Sequence, residues 1–185
     1  MALPTFTKLG TRLSQPAWMA SASVQPFFPN VVQVTAEVAA LTGETEGTFL
    51  IFYSSDHAPS TGYIGMARAE TIEGPWTDSG AAIHTGTNQR ETPCVVYDPV
   101  NNRLNIYVHD NKSSVPNVSQ GTRLVTTTDL VSFTDHGQVL FYGQHTGYAT
   151  VYRRGAGDWR AMAYCTGDES NFFGVWTSTD GVNWT

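Results

Sequence analysis

Apolar positions along this chain fall into short runs of four to seven residues, and the runs are separated by stretches rich in Gly, Pro, Asn, Asp and Ser. Runs of that length, bounded by turn residues and rich in Val, Ile, Thr and aromatics, predict strands. Pro29–Val34, Thr48–Tyr53, Tyr63–Ala69 and Gly80–Ile83 form a first set, with the turn Gly74-Pro75-Trp76 before the last of them. Pro93–Tyr97, Arg103–Val108, Thr122–Thr127 and Gly137–Phe141 form a second set, and Tyr148–Tyr152, Asp158–Tyr164 and Phe173–Ser178 begin a third. Helical periodicity is weak throughout; its best stretch, Val34 to Leu41, runs into Thr42-Gly43 and is expected to be a loop or a strand extension.

The sets are copies of one unit. Thr127–Thr134 aligns with Ser178–Thr185 at a spacing of 51 residues, and Trp76–Gly80 aligns with Phe133–Gly137 at a spacing of 57. Four short strands per unit of this size describe one blade of a β-propeller, a four-stranded antiparallel sheet set around a central channel. The expected architecture is therefore all-β, a single propeller domain over 1–185, with blades at about 26–85, 89–142 and 145–185. Segment 5–13 resembles Thr134–Leu140 and is expected to be a ring-closing fourth strand. Trp76, Phe133 and Trp184 follow a turn in each unit and are expected to pack between blades. Two whole blades and most of a third do not close a ring. Truncation at Thr185 is expected in preference to assembly of several chains, and the open blade surface is expected to drive self-association.

Composition narrows the partners. The 185 residues are 41% hydrophobic and 14% charged, with a net charge of −6, which suits a packed core and excludes a disordered chain. The ten Lys and Arg residues form no basic stripe, so nucleic acid is not an expected partner. No apolar run approaches a membrane span and the amino terminus lacks a signal-peptide layout, so no membrane partner is expected and the chain reads as soluble and cytoplasmic by default. Cys94 and Cys165 sit in apolar runs and are expected to be buried free thiols.

Phe49–Tyr53, Ile64–Ala69, Gly74–Trp76, Thr128–Phe133 and Ser178–Trp184 resemble the blade signatures of the five-bladed β-propeller glycoside hydrolases, families 43 and 32 above all. The resemblance implies a five-bladed ring for the complete protein, a carbohydrate substrate, and acidic residues at the start of the innermost strands. Arg90-Glu91-Thr92-Pro93 looks like the family's Arg-Asp-Pro element, which puts Glu91 in the place of a transition-state stabiliser or pKa-tuning carboxylate. The matching stretches Pro26–Asn30 and Gln144–Tyr148 carry no acid. The resemblance requires no cofactor and allows a calcium ion in the channel.

Strand alternation adds an argument of its own. Residues just before the first strand and just after the second strand of each blade lie at the same end of the channel. That end collects Asn30, Glu91, His145 and Tyr148 with Asp56, His57, His109, Asp110, Asp168 and Glu169. Each has a structural alternative: Asp56-His57 and His109-Asp110 as loop residues holding backbone groups, Glu91 as the ion partner of Arg90, His145 as a satisfied structural histidine and Tyr148 as core. Glycoside hydrolysis normally needs two carboxyl groups. Glu91 as acid or transition-state stabiliser with Asp56, or an acid of the missing blades, as base is the expected catalytic pair, Asp110 and Asp168 are further candidates, and Asn30, His57, Arg90, His109, Asp110, His145, Tyr148 and Asp168 are expected to bind substrate. His57 or His145 serves equally as a contact to a sugar hydroxyl or to a hydrated calcium ion. Two alternatives to a glycosidase stay open: a non-catalytic carbohydrate-binding propeller, and a sialidase-like protein, since Ser178–Trp184 is one residue short of an Asp-box.

Overall fold

The computed structural model describes residues 13–19, 26–55, 63–79, 90–111, 120–167 and 171–185. These residues form three antiparallel sheets, each a meander in chain order. The first holds β1 (Phe27–Gln33), β2 (Phe49–Ser54), β3 (Ile64–Ala69) and β4 (Thr77–Asp78). The second holds β5 (Arg90–Asp98), β6 (Arg103–Asp110), β7 (Gly121–Thr127) and β8 (Thr134–Leu140). The third holds β9 (His145–Gly155), β10 (Asp158–Thr166) and β11 (Asn171–Ser178). Beyond β11, Thr177 and Thr185 exchange both backbone hydrogen bonds, at 2.8 and 2.9 Å. Thr126 and Thr134, 51 residues earlier, are the partners that align β7 with β8.

The sheets stand side by side with β1, β5 and β9 touching along a common axis, and they are three blades of a propeller. One apolar cluster joins the first two blades through Leu50, Phe52, Ile64 and Met66 against Leu104, Ile106, Val108 and Val125. Another joins the second and third through Tyr107, Leu124 and Leu140 against Val151, Trp159 and Ala161. A third cluster covers the outer side of the first blade, where Trp18 stacks on Tyr53 and its indole N–H donates to Asp78 at 3.0 Å. Trp76, Phe133 and Trp184 each pack against one of these clusters. Of segment 5–13 only Leu13 is described, in the third cluster, and Gly80–Ile83 lies outside the described residues. Both cysteines are buried free thiols.

Register makes the repeat exact enough to compare rows. Asn30–Phe52–Met66, Cys94–Tyr107–Leu124 and Thr150–Met162–Val175 are equivalent across the three sheets. Phe52 and Tyr107 are both fully covered by the next blade, while Met162 and Val175 are 47% and 70% exposed.

Two expectations are corrected. The stretch expected to be a loop or strand extension forms a helix, α1 (Ala36–Thr42). Its ends explain it: the Thr35 hydroxyl accepts from the Val38 N–H at 3.4 Å, and Gly43 closes the helix at φ 76° with its N–H on the Ala39 carbonyl. A one-sided apolar contact, Val38 in the first cluster, fixes a helix too short for periodicity to reveal. The first strands also begin earlier than expected, so Glu91 and His145 lie inside β5 and β9 rather than ahead of them, and His109 and Asp110 end β6 rather than follow it.

The repeated turns after β7 and β11 share one construction. Thr127 Oγ1 accepts from the N–H groups of Asp129 and Leu130, as Ser178 Oγ does from Asp180 and Gly181. Asp129 Oδ1 accepts from Val131 and Ser132, and Asp180 Oδ1 from Val182 and Asn183. For Asp129 the N–H groups of Ser132 and Val131 draw its pKa from 3.8 to about 2. For Asp180 partial burial pushes upward, and the N–H groups of Asn183 and Val182 outweigh it, again giving about 2. A folded pKa below the unfolded one contributes stability that is present above 3.8 and is lost as pH falls through about 2. Asp180→Asn is therefore expected to melt below the wild type at neutral pH, with the gap closing between pH 3.8 and about 2 in thermal scans. A gap that stays constant over that window refutes the charge as its cause.

Candidate functional site

The innermost strand of each blade carries a bulge at the same place. Register breaks between Phe27 and Asn30 in β1, between Glu91 and Cys94 in β5, and opposite Met162–Tyr164 in β9. Each break contains a non-glycine residue in the left-handed region: Phe28 at φ 48°, Thr92 at φ 51° and Tyr148 at φ 56°. Bulges bend a strand and redirect its side chains, and they gather at functional sites. Here the three meet: Phe28, Pro29 and Asn30, Thr92, Pro93 and Cys94, and Tyr148, Ala149 and Thr150 line one cavity of about 320 Å³ between the inner strands. A wider depression at the rim of the first blade, lined by Glu44, Arg68 and Glu70 among others, lies on different elements and shares no residue with it.

Glu91 sits just ahead of the second bulge. It pairs in register with His109 of β6, is wholly buried, and accepts a hydrogen bond from His109 Nδ1 at 2.8 Å. The other ring nitrogen of His109 bonds the side-chain amide of Gln120 at 3.0 Å. Gln120 is itself held between blades, since it donates its N–H to the Gln144 carbonyl and accepts from the Thr146 N–H. Around His109 stand His145 at 4.9 Å and Tyr148 at 5.0 Å between ring centroids, with Tyr164 5.5 Å from His145 and Phe28 6.1 Å from Tyr148. Burial, then the neighbouring His109, lowers the pKa of His145. Burial raises that of the Tyr148 phenol, and the nearby Glu91 charge raises it further.

Arg90 and Asp110 belong to the opposite face of the same two strands, because successive residues of a strand point to opposite sides. Asp110 is fully buried between Arg90, with which it makes a close ion pair, and Arg123, whose Nε donates at 2.8 Å. Arg123 also grips Asp135 at 2.7 Å. The ion partner of Arg90 is therefore Asp110, and Glu91 goes to His109. Residues expected at one opening are divided: Glu91, His109, His145 and Tyr148 converge toward the third blade, while Arg90 and Asp110 face the first. Asn30 lines the cavity, and its Oδ1 accepts from the Val95 N–H at 3.0 Å, tying β1 to β5. Asp56, His57 and Asp168 lie outside the described residues. Among the described residues no group of three His, Cys, Asp or Glu side chains is placed to hold a metal ion.

Sequence reasoning missed Gln120, Thr92, Tyr164 and Gly147. Gly147 occupies the position equivalent to Glu91, and it left a signal in hindsight: a lone glycine inside a strand often marks close approach of a neighbour. A Cβ there would stand 2.6 Å from His109 Cδ2 and 2.9 Å from His145 Cε1. Gly147→Ala is expected to cost about 1–3 kcal/mol through overpacking and to push His109 off Glu91. Urea titration reads the first effect and the histidine ring NMR signals the second; unchanged ring signals would disprove the displacement.

By sequence the chain matches no protein-family model and no curated protein. By structure it is similar to propeller glycoside hydrolases. A family 117 glycoside hydrolase from the marine bacterium Zobellia galactanivorans aligns at TM-score 0.63 and 16% identity, over 95% of this chain and 48% of that one. A family 93 α-L-arabinofuranosidase of Fusarium graminearum, solved with arabinobiose, aligns at TM-score 0.61 and 19% identity, over 84% and 47%. A thermostable family 43 glycoside hydrolase aligns at TM-score 0.63 and 13% identity, over 86% and 53%. The chain spans about half the length of these solved chains, and the likeness is one of fold.

Proposed function

We propose that this chain carries part of the carbohydrate site of a glycoside hydrolase-like propeller, with Glu91 as its acidic centre. The observation that supports the reading is a buried carboxylate anchored by a histidine at the bulge of an inner strand, next to a cavity with aromatic walls. A carboxyl in such surroundings suits an acid or a transition-state stabiliser in glycoside chemistry, and Tyr148 and Phe28 offer flat faces to the apolar side of a sugar ring. Hydrolysis needs a second carboxyl about 5–10 Å away. Asp110 is a poor candidate with two arginines on it, and Asp56, Asp168 or an acid of a further blade is the candidate instead.

A second reading has its own support. The positions equivalent to Glu91 in the first and third blades are Phe27 and Gly147, neither of them acidic, which suits a propeller that binds carbohydrate without cleaving it. One experiment separates the two: oligosaccharides of arabinose, xylose, fructose and galactose are screened for binding and cleavage by the wild type and by Glu91→Gln. Cleavage by the wild type, slowed about 10²–10⁴-fold by the substitution, supports the enzyme. Binding without cleavage supports the second reading, and absence of both removes carbohydrate from the account.

A further inference from the structure

We propose that Tyr148 is a movable cover over Glu91, and that a ligand reaches the carboxylate only after the tyrosine ring has left it. The inference concerns access to the site described above, and its consequence for sugar entry rests on the carbohydrate reading; the covering itself does not.

Glu91 is 0% exposed and His109 is 3% exposed, so neither meets a ligand as the chain stands. Tyr148, by contrast, is 40% exposed and meets solvent where those two do not. Its ring lies 5.0 Å from His109, whose Nδ1 is bonded to Glu91 at 2.8 Å. The other rings near it, His145 at 5.8 Å, Phe28 at 6.1 Å and Tyr164 at 6.5 Å, are tilted or edge-on in the outer part of the range for aromatic contact. The ring therefore rests on its neighbours without being wedged among them. Tyr148 also lines the cavity of about 320 Å³ between the inner strands, which is space into which the ring can move. Backbone strain favours the same residue: Tyr148 holds φ 56°, a conformation that side chains other than glycine adopt at a cost, and it directly follows Gly147. The ring stands against the His109–Glu91 pair where a ligand would have to approach, so cover and ligand compete for one space.

The test needs no sugar. The chain is treated with a water-soluble carbodiimide and glycinamide, which convert accessible carboxyl groups to amides, and the sites are read by peptide mass spectrometry. In Tyr148→Ala, Glu91 is expected to be modified about tenfold faster than in the wild type, because modification follows the population of the open site. Asp110, also fully buried but on the other face of the sheet, is expected to stay protected. Tyr148→Phe keeps the covering ring and is expected to stay close to the wild type. Equal Glu91 rates in all three proteins would overturn the proposal, and so would a rise at Asp110 in step with Glu91, which would mean general loosening. Failure of the oligosaccharide screen leaves this measurement intact.

Discussion

Asp110→Asn lowers the stability of the chain by about 3–5 kcal/mol, the loss expected when one partner of a buried ion pair is removed. The carboxylate neutralises two guanidinium groups at once, Arg90 on its own blade's inner strand and Arg123 on β7. Arg90 is 3% exposed, and burial lowers its pKa while the Asp110 charge works against that shift. Asparagine keeps the shape and removes the charge, so Arg90 loses the carboxylate on which its burial depends. Native domains hold only about 5–15 kcal/mol in all, and the loss is a large share of that. Urea titration of both proteins measures it. Replacing the pair together, as Arg90→Met with Asp110→Leu, recovers most of the loss, because two buried charges disappear along with their desolvation cost. A single-variant loss below about 1 kcal/mol would show that the pair is solvated and that its buried geometry is not what holds the inner strand.

The second large effect is at Trp159, which is 1% exposed at the centre of the contact between the second and third blades. Its ring packs under the turn at Gly181, where an added Cβ would come within 3.1 Å of it, and Tyr107 of the second blade donates its hydroxyl to the Gly181 carbonyl at 2.7 Å. Trp159→Ala is expected to cost about 3–5 kcal/mol from lost burial and the cavity left behind. Apart from the contact of Phe28 with Tyr148 at the inner strands, the apolar packing is between neighbouring blades, and the cluster joining the first two contains no residue of the third. The loss is therefore expected to fall on the third blade alone, and unfolding becomes two-step. Limited proteolysis should cut within 145–185 before it cuts within 90–140. Simultaneous cleavage of both regions would mean that the two apolar clusters melt as one unit.

The site was only half legible in the sequence, and two residues show why. Arg90 and Glu91 are adjacent, which invited an ion pair between them; pleating sends them to opposite faces, and each finds its partner across the strand pair in register, Asp110 and His109. The bulge at Thr92–Pro93 then shifts the alternation, so that Glu91 and Cys94 share a face although they are three residues apart. No period-two reading yields that. Gln120, which completes the support of His109, belongs to no apolar pattern; it is defined by a parallel bridge to His145 on the next blade.

From its order of residues alone the chain determined strands, turns and their repetition, because alternation of apolar side chains and the turn chemistry of Asp129 and Asp180 act over a few neighbours and recur at 51 residues. Tertiary structure decided which acid is paired with which base, which rings stand around His109 and where a glycine must make room. Those depend on register, on three bulges and on contacts between blades, where distance in space bears no relation to distance along the chain.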